Sequence, residues 1–340
     1  MTEKGRLAAR HLVAMGTSMM ESGKGRQAAA LVRENLAAAP DDPVLREAAA
    51  IVLQHKVQTY HRRMLADERR NAAYRRGIEA HARGKVVLDI GAGSGLLAMI
   101  AARAGAAHVY TVEKNGAVAE TAREIVARNG YADRITVIGR LSTELTREDI
   151  GGGADLIVSE LFANDLICEE ILPSLRHARR ALGRPGAEIM PRHAAIRVAL
   201  ARYDGRRPPR AGMVEGFDLS PFNSHGSSIL SLNGGTSKLA AMGPHADLFH
   251  FDFHDPDIPP EDRAQAVLTS SGGRVDGVAQ WIWFRFDEAT DYENRPGSES
   301  HWAIVFTPFD EPVQTKAGER IAIEGWRDDR HLRVWRGSSR

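Results

Sequence analysis

Cysteine is almost absent from this chain of 340 residues, in which Cys168 is the single example. One cysteine cannot form an intrachain disulfide, and such sparse use is typical of a reducing compartment. The sequence also lacks an apolar run of membrane-spanning length and an N-terminal segment that resembles a secretory signal. We therefore expect a cytoplasmic protein with no membrane partner.

An excess of charge of one sign is missing as well. The 45 Lys and Arg residues almost balance the 44 Asp and Glu residues, which leaves a formal net charge of +1. The locally basic stretch from 56 to 85 is typical of a solvated helix face. These features predict no specific nucleic-acid partner, and 43% hydrophobic residues indicate an ordinary globular protein.

Residues 1–54 follow a helical pattern that is broken by APDDP at 39–43, which predicts two helices around a turn. The stretch 27–40 resembles part of a tetratricopeptide unit, but no second full copy is visible. Such a unit cannot bury its apolar face without neighbours. We therefore expect a helical, tetratricopeptide-like appendage over 1–54, docked on the rest of the chain.

Strands and helices alternate in the next part of the chain, 55–190. The predicted strands lie at 86–90, 108–112, 135–138 and 156–158, and the predicted helices at 96–104 and 117–129. This alternation is typical of an α/β protein with a doubly wound, Rossmann-like parallel sheet.

The remaining residues, 191–340, read as a second, β-rich domain with hairpin signals at 271–277 and 328–329. Its Gly-, Pro- and Ser-rich interval 204–235 is a long insertion of the kind that is usually functional or disordered. His250, Asp252 and His254 alternate with Phe residues, which predicts a half-buried strand. A metal site is the alternative interpretation.

The most informative motif is VLDIGAGSG at 87–95, a buried strand followed by a glycine-rich turn and a helix. Gly91, Gly93 and Gly95 let the backbone pass close to a ligand, and the helix that follows presents free N–H groups. Dinucleotide enzymes place the third glycine one residue later. With the acidic Asp89 inside the strand, the spacing favours S-adenosylmethionine (SAM) as the cofactor.

Two further acids follow the next strands. Glu113 comes about twenty residues after the glycine turn, where an acidic side chain can accept hydrogen bonds from both ribose hydroxyls. Glu144 comes after the third strand, at the sheet edge where an adenine would lie, and could accept from its amine. We expect both to bind the cofactor.

A pair of glutamates, Glu160 and Glu169, brackets the loop after the fourth predicted strand. Two carboxylates near a sulfonium could be a general acid and base, a metal site or a clamp for a cationic acceptor. No His or further acid stands at ligand spacing, so the cationic acceptor is preferred. A guanidinium offers five donors in a planar fork that two carboxylates can grip.

With these motifs in place, residues 55 to 335 resemble the protein arginine methyltransferase family. The resemblance implies a class I methyltransferase domain followed by a β-barrel, with Glu160 and Glu169 as the family's double-glutamate loop. It also implies an arginine-containing protein or peptide as substrate. The segment 204–235 lies where the family places a dimerisation arm, which implies a homodimer.

The resemblance extends to the segment 60–70, which is similar to the helix that closes over SAM in this family. It implies that Arg70 holds the cofactor carboxylate and that His61 and Met64 line the pocket. Asp67 is expected to pair with His301 of a late Ser-His-Trp loop, and the pair could carry the proton away.

Alternatives remain for the acceptor and the product. The loop interior 161–166 is closer to the branch of the family that makes only monomethylarginine, yet His301 is retained where parts of that branch depart from it. The product class therefore stays open. A methyltransferase acting on a small guanidine or amine metabolite and a noncatalytic binding protein are the two rival hypotheses.

Overall fold

A computed structural model describes residues 3–55, 61–207, 211–225 and 229–337. The chain forms two compact units, each assembled from separate segments. The first unit contains Met1–Arg62, Tyr74–Glu160 and Arg176–Met190. The second unit contains Arg63–Ala73, Leu161–Leu175 and Pro191–Arg340. Each unit thus combines its main stretch of chain with shorter segments from elsewhere in the sequence.

Eight α-helices lie in the described part of the chain: α1 (Glu3–Glu21), α2 (Gly25–Ala38), α3 (Pro43–Gln54), α4 (His61–Ala66), α5 (Glu68–His81), α6 (Leu96–Arg103), α7 (Gly116–Arg128) and α8 (Ile171–His177). The prediction of only two helices within 1–54 is wrong, because the chain also turns at 22–24. Gly23 adopts a φ of 74°, a left-handed conformation that glycine accepts readily. The second break is as predicted, since the Asp42 side chain accepts from two backbone N–H groups and caps α3.

The first unit contains a five-stranded parallel sheet made of β1 (Val86–Ile90), β2 (His108–Val112), β3 (Ile135–Ile138), β4 (Ala154–Ser159) and β5 (Gly183–Met190). The strand order is β3-β2-β1-β4-β5. This order confirms the doubly wound α/β fold, although the sequence pattern missed β5. The order reverses between β1 and β4, and ligands bind outside the carboxyl ends of strands at such a switch point.

The second unit contains an antiparallel sheet, which confirms the predicted β-rich domain. Its eight strands are β6 (His193–Tyr203), β9 (Leu230–Leu232), β10 (Leu239–Ala241), β11 (Ala246–Asp252), β12 (Asp262–Arg285), β13 (Asp291–Glu293), β14 (Ile304–Arg327) and β15 (Leu332–Arg336). A separate small hairpin pairs β7 (Met213–Val214) with β8 (Phe217–Asp218). The turn predicted at 328–329 is present, because β14 and β15 pair antiparallel around it.

The hairpin predicted at 271–277 is wrong, because β12 runs straight through that segment. The pairing with β14 shifts register between Thr269 and Ser271 and again between Val275 and Gly277. Such shifts are β-bulges or related irregularities, which change the pairing of a strand without ending it. At both shifts the additional residues lie on β14, so the Gly-rich sequence belongs to one continuous strand, β12.

Three observations bear on the remaining sequence patterns. In β11 the Phe249 and Phe251 side chains are buried and His250 is exposed, as the half-buried strand interpretation predicts. Among the described residues, no group of three or more His, Cys, Asp or Glu side chains is arranged to hold a metal. Within the same described ranges, no helix combines the length and the apolar character needed to cross a membrane.

Candidate cofactor and acceptor sites

The glycine turn joins β1 to α6 at the carboxyl edge of the parallel sheet. Its three glycines, Gly91, Gly93 and Gly95, all have positive φ, between 50° and 91°. The backbone N–H groups of Gly91 and Ala92 both donate to the carbonyl of Val112, at 2.9 Å each. A Cβ atom at Gly93 would meet nothing within 4 Å, so the turn leaves open space beside its backbone.

Glu113, directly after β2, contacts this turn. Its Oε2 accepts from the N–H of Gly93 at 3.1 Å, and its Oε1 accepts from the N–H of Asn115 at 2.9 Å. A carboxylate has about four lone-pair sites. The two backbone donors leave about two sites for a ligand, which suits the pair of ribose hydroxyls expected from the sequence.

Asp89 and Glu144 occupy different environments in the first unit. Asp89 lies inside β1, is 1% exposed, and accepts a hydrogen bond from the hydroxyl of Thr111 on β2 at 2.7 Å. Glu144 ends a short 3₁₀ turn, Ser142–Glu144, and is exposed. Asp89 is thus fixed in the sheet, whereas the Glu144 carboxylate faces solvent.

Glu160 is the first residue after β4. The end of β4 is held in the first unit by Tyr74, whose hydroxyl donates to the Ser159 carbonyl at 3.0 Å. Ser159 pairs with Ile90 in the parallel register, so β4 ends beside the last residue of β1. Glu160 therefore lies at the switch point of the sheet, next to the residue where the glycine turn begins.

Asp67 and His301 contact each other within the second unit, as expected. Asp67 Oδ2 accepts from His301 Nδ1 and from the His301 backbone N–H, at 3.0 Å each. Asp67 Oδ1 accepts from the backbone N–H of Arg70 at 2.9 Å and so caps α5. The side chains of Asp67 and His301 are 4% and 5% exposed.

The titration of this pair follows from its burial and its hydrogen bonds. Burial alone would raise the pKa of Asp67, but the bonds from His301 and Arg70 outweigh it and hold that pKa well below 3.8. Burial lowers the pKa of His301 below its ordinary 6.5, against the opposing attraction of Asp67. Near neutral pH, Asp67 is therefore charged and His301 is neutral. Because Nδ1–H donates to Asp67, Nε2 is left as the acceptor.

Tyr292, on β13, is a member of this network that the sequence patterns did not reveal. Its hydroxyl lies 3.1 Å from Asp67 Oδ2 and 2.7 Å from Ser300 Oγ. The guanidinium of Arg69 lies over its ring, 5.5 Å from the centroid. Burial raises the pKa of Tyr292, so the hydroxyl stays protonated and can donate to Asp67.

The loop that carries Glu169 is tied to the same region of the second unit. The indole N–H of Trp302 donates to the Phe162 carbonyl at 2.6 Å, and the Asn164 side chain accepts from the next backbone N–H after Trp302 at 2.8 Å. Leu166 and Glu170 adopt φ of 75° and 63°, which costs energy for residues with a Cβ. This strained loop places the half-buried Glu169 two residues before α8.

The remaining expected site residues lie in and after α4. Arg70 is 3% exposed and its Nη1 donates to Asn71 at 2.8 Å. Met64 is buried, and His61, at the start of α4, is half-buried. Position 60 of the same segment lies outside the described residues. The structure therefore brings Asp67, Arg70 and His301 into contact within one unit, and Gly93 and Glu113 into contact within the other.

Comparisons with known proteins place this chain among methyltransferases. The family model described as ribosomal protein L11 methyltransferase (PrmA) matches residues 77–184, which contain the glycine turn and Glu160. A solved structure titled "Trypanosoma brucei PRMT1 enzyme-prozyme heterotetrameric complex with AdoHcy" aligns with a TM-score of 0.71 and 27% identity. That alignment covers 83% of this chain and 93% of the other.

Two curated relatives define the family more narrowly. An arginine N(omega)-methyltransferase of Streptomyces achromogenes subsp. streptozoticus is 37% identical over 296 residues, 83% of this chain and 80% of the relative. Protein arginine N-methyltransferase 7 of Danio rerio is 33% identical over 79% of this chain, which spans 44% of the fish protein. The chain belongs to the arginine N-methyltransferase family, which confirms the resemblance found in the sequence.

Proposed function

We propose that this protein transfers a methyl group from SAM to a guanidino nitrogen of arginine. The observation that carries the proposal is the switch point of the parallel sheet, where the glycine turn binds Glu113 on one side and β4 ends at Glu160 on the other. Membership of the arginine N-methyltransferase family supports the same reaction.

The residues of the first unit fit the cofactor. The backbone beside Gly93 is open, and the Glu113 carboxylate keeps unused lone pairs next to it. We assign Glu113 to the ribose hydroxyls and Glu144 to the adenine amine, with Asp89 and the three glycines shaping the turn. Arg70, His61 and Met64 complete the proposed cofactor set. SAM, when bound, supplies the methyl group from its sulfonium centre.

Glu160 and Glu169 form the proposed clamp for the acceptor. A guanidinium has a pKa above about 12 and no free lone pair, so it is a poor nucleophile as it stands. Two carboxylates that draw its charge toward one terminal nitrogen leave lone-pair character on the other. That nitrogen can then form its bond to the methyl carbon as the carbon–sulfur bond breaks.

The methylated nitrogen must lose a proton, and His301 is the proposed acceptor. Its pKa is lowered by burial, so Nε2 is unprotonated near neutral pH while Asp67 holds the Nδ1–H tautomer. Asp67 stays charged and stabilises the imidazolium that forms. Each turnover then releases the proton to solvent.

The acceptor is either arginine in a protein or peptide, as the family resemblance implies, or free arginine. The second candidate is favoured by one specific observation: the Streptomyces relative, which covers most of both chains, is named for arginine and not for protein arginine. Incubation with labelled SAM and either a lysate or free arginine, followed by mass spectrometry, separates the two. Label in peptides alone supports the first, and label in the amino acid alone supports the second.

Substitution of the glutamates tests the reaction itself. Glu160→Gln and Glu169→Gln should bind SAM like the unsubstituted protein in calorimetry but lose methyl transfer, because the amide cannot polarise the guanidinium. Glu170→Gln is the matched control, since Glu170 lies beside Glu169 and pairs instead with Arg330 at 2.6 Å. Full activity in both Glu160→Gln and Glu169→Gln would contradict the clamp and favour an enzyme that activates its acceptor through other residues.

The finer features of the enzyme are part of the same proposal. We assign residues 1–54 to an appendage, 55–190 to cofactor binding and 191–340 to substrate binding, in a cytoplasmic homodimer. In the described part of the 204–235 arm, Met213, Phe217 and Phe222 are 68% to 71% exposed, which suits a surface covered by a second copy. Sedimentation should show a dimer that Phe217→Asp converts to a monomer; a monomeric starting protein contradicts the arm.

A further inference from the structure

The three N-terminal helices are packed on the domain that carries the cofactor residues, within the first unit. Their buried apolar side chains form one cluster that also contains Ala117 of α7. Helix α2 packs against α7. The appendage therefore contacts the parallel-sheet domain at the first turn of α7.

This contact is made backbone to backbone. A Cβ atom on Gly25 would lie 2.8 Å from the backbone nitrogen of Ala117, and a Cβ on Gly116 would lie 3.0 Å from the backbone nitrogen of Arg26. Neither glycine has a positive φ, so backbone conformation does not require glycine at either position. Glycine weakens a helix relative to alanine. The close approach of the two helices is therefore the physical reason for both.

Charged side chains reinforce the same contact. Glu120 of α7 pairs with Arg26 at 3.1 Å and with Arg33 at 3.7 Å, both from α2, and with Arg123 of α7. The Glu120 side chain is 11% exposed, but those of Arg26 and Arg33 are 78% and 50% exposed. Exposed ion pairs stabilise little. The glycine contact thus fixes the position of α7, and the ion pairs only add to it.

A short chain of hydrogen bonds joins this contact to the proposed ribose site. Gly116 follows Asn115, whose side chain caps α7 by accepting from the Ala117 N–H at 3.0 Å. The Asn115 N–H donates to Glu113 Oε1, and the other carboxylate oxygen accepts from Gly93. The orientation of the Glu113 carboxylate is therefore set partly by where the first turn of α7 lies.

We propose that the N-terminal helices are a brace that positions Glu113 for the cofactor by holding the first turn of α7 through the Gly25–Gly116 contact. The proposal rests on the function proposed above, since it takes Glu113 as a ribose ligand. It makes residues 3–54 part of the cofactor site, although none of them needs to touch the cofactor.

Two single substitutions on opposite sides of the contact test the brace. Gly25→Ala and Gly116→Ala each add one methyl group that must push the helices apart, and each should weaken SAM binding in calorimetry by roughly tenfold. Gln27→Ala, on the same turn of α2 but exposed, is the matched control and should bind SAM normally. In the ligand-free protein, hydrogen exchange should speed up in peptides covering 113–118 for the two glycine variants alone.

A double-mutant cycle separates failure of the brace from failure of the cofactor assignment. If the brace acts through Glu113, Gly25→Ala should lose most of its effect on SAM affinity in a Glu113→Gln background. Unchanged affinity and exchange in both glycine variants would overturn the brace, as would effects that simply add to that of Glu113→Gln. If Glu113→Gln itself binds SAM normally, the assignment of Glu113 is what fails. Because Gly116→Ala is the milder change, it keeps the test usable if Gly25→Ala does not fold.

Discussion

Replacing Asp67 by asparagine is expected to destabilise the fold strongly, because the carboxylate is almost fully buried and accepts four hydrogen bonds. One oxygen accepts from the Arg70 backbone; the other accepts from two donors of His301 and from Tyr292. An asparagine side chain accepts at only one of its two terminal atoms. In either orientation, one backbone N–H therefore faces an NH₂ group.

The magnitude follows from these contacts. In the better orientation the carbonyl keeps the His301 and Tyr292 donors, and the Arg70 N–H loses its partner at a cost of about 1–3 kcal/mol. The three bonds that remain become bonds to a neutral acceptor, each weaker by about 1 kcal/mol. Asp67→Asn should thus lower the free energy of unfolding by about 4–6 kcal/mol.

Urea unfolding followed by tryptophan fluorescence measures this loss, and pH provides an internal check. The folded pKa of Asp67 lies below its ordinary 3.8, so its stabilisation is complete above that value and is lost as pH falls through the folded pKa. The gap between the original protein and Asp67→Asn should therefore narrow below about pH 4. Asp41→Asn, fully exposed, should change stability by less than about 0.5 kcal/mol. A loss under about 1 kcal/mol at neutral pH would refute the four-bond argument.

Three further predictions concern the Asp67–His301 network, the glycine turn and the loop that carries Glu169. Tyr292→Phe removes a hydrogen-bond donor to the Asp67 carboxylate, so more of its negative charge acts on His301 and the pKa of His301 should rise. The acid limb of the rate–pH profile should then move to higher pH, and an unmoved limb contradicts this. Gly95→Ala places a Cβ at a φ of 78° and 3.2 Å from a neighbouring methyl, so SAM affinity in calorimetry should fall roughly tenfold. Gly84→Ala, at a φ of 73° but in open space, should leave affinity unchanged. Trp302→Phe loses the indole bond to the acceptor loop and should lower the unfolding free energy by about 1–3 kcal/mol, measured in urea.

The parallel-sheet domain was predictable because its signals are local. The strand at 86–90, the glycine turn and the acid twenty residues later each follow from a short stretch of sequence, and the first three strands have their predicted limits. The missed break at 22–24 is also local: Gly23 supplies a left-handed residue in the middle of an otherwise continuous helical pattern.

The second unit was harder to predict because strand pairing there depends on distant partners. Glycines at 272 and 273 indicate a turn by local chemistry, but pairing with β14 carries β12 through them as one continuous strand. Tyr292 was missed for a related reason, since its hydroxyl reaches a carboxylate 225 positions away. The Asp67–His301 contact spans 234 positions, and only the family resemblance led to it.

The most direct test of the proposed chemistry is product analysis after incubation with labelled SAM and an arginine acceptor. We expect mass spectrometry to find label on a guanidino nitrogen of arginine with the unsubstituted protein and with Glu170→Gln. No labelled arginine should form with Glu160→Gln or Glu169→Gln, although both still bind SAM in calorimetry. Label on any other functional group, or labelled arginine from both glutamate variants at the original rate, would contradict the proposed reaction.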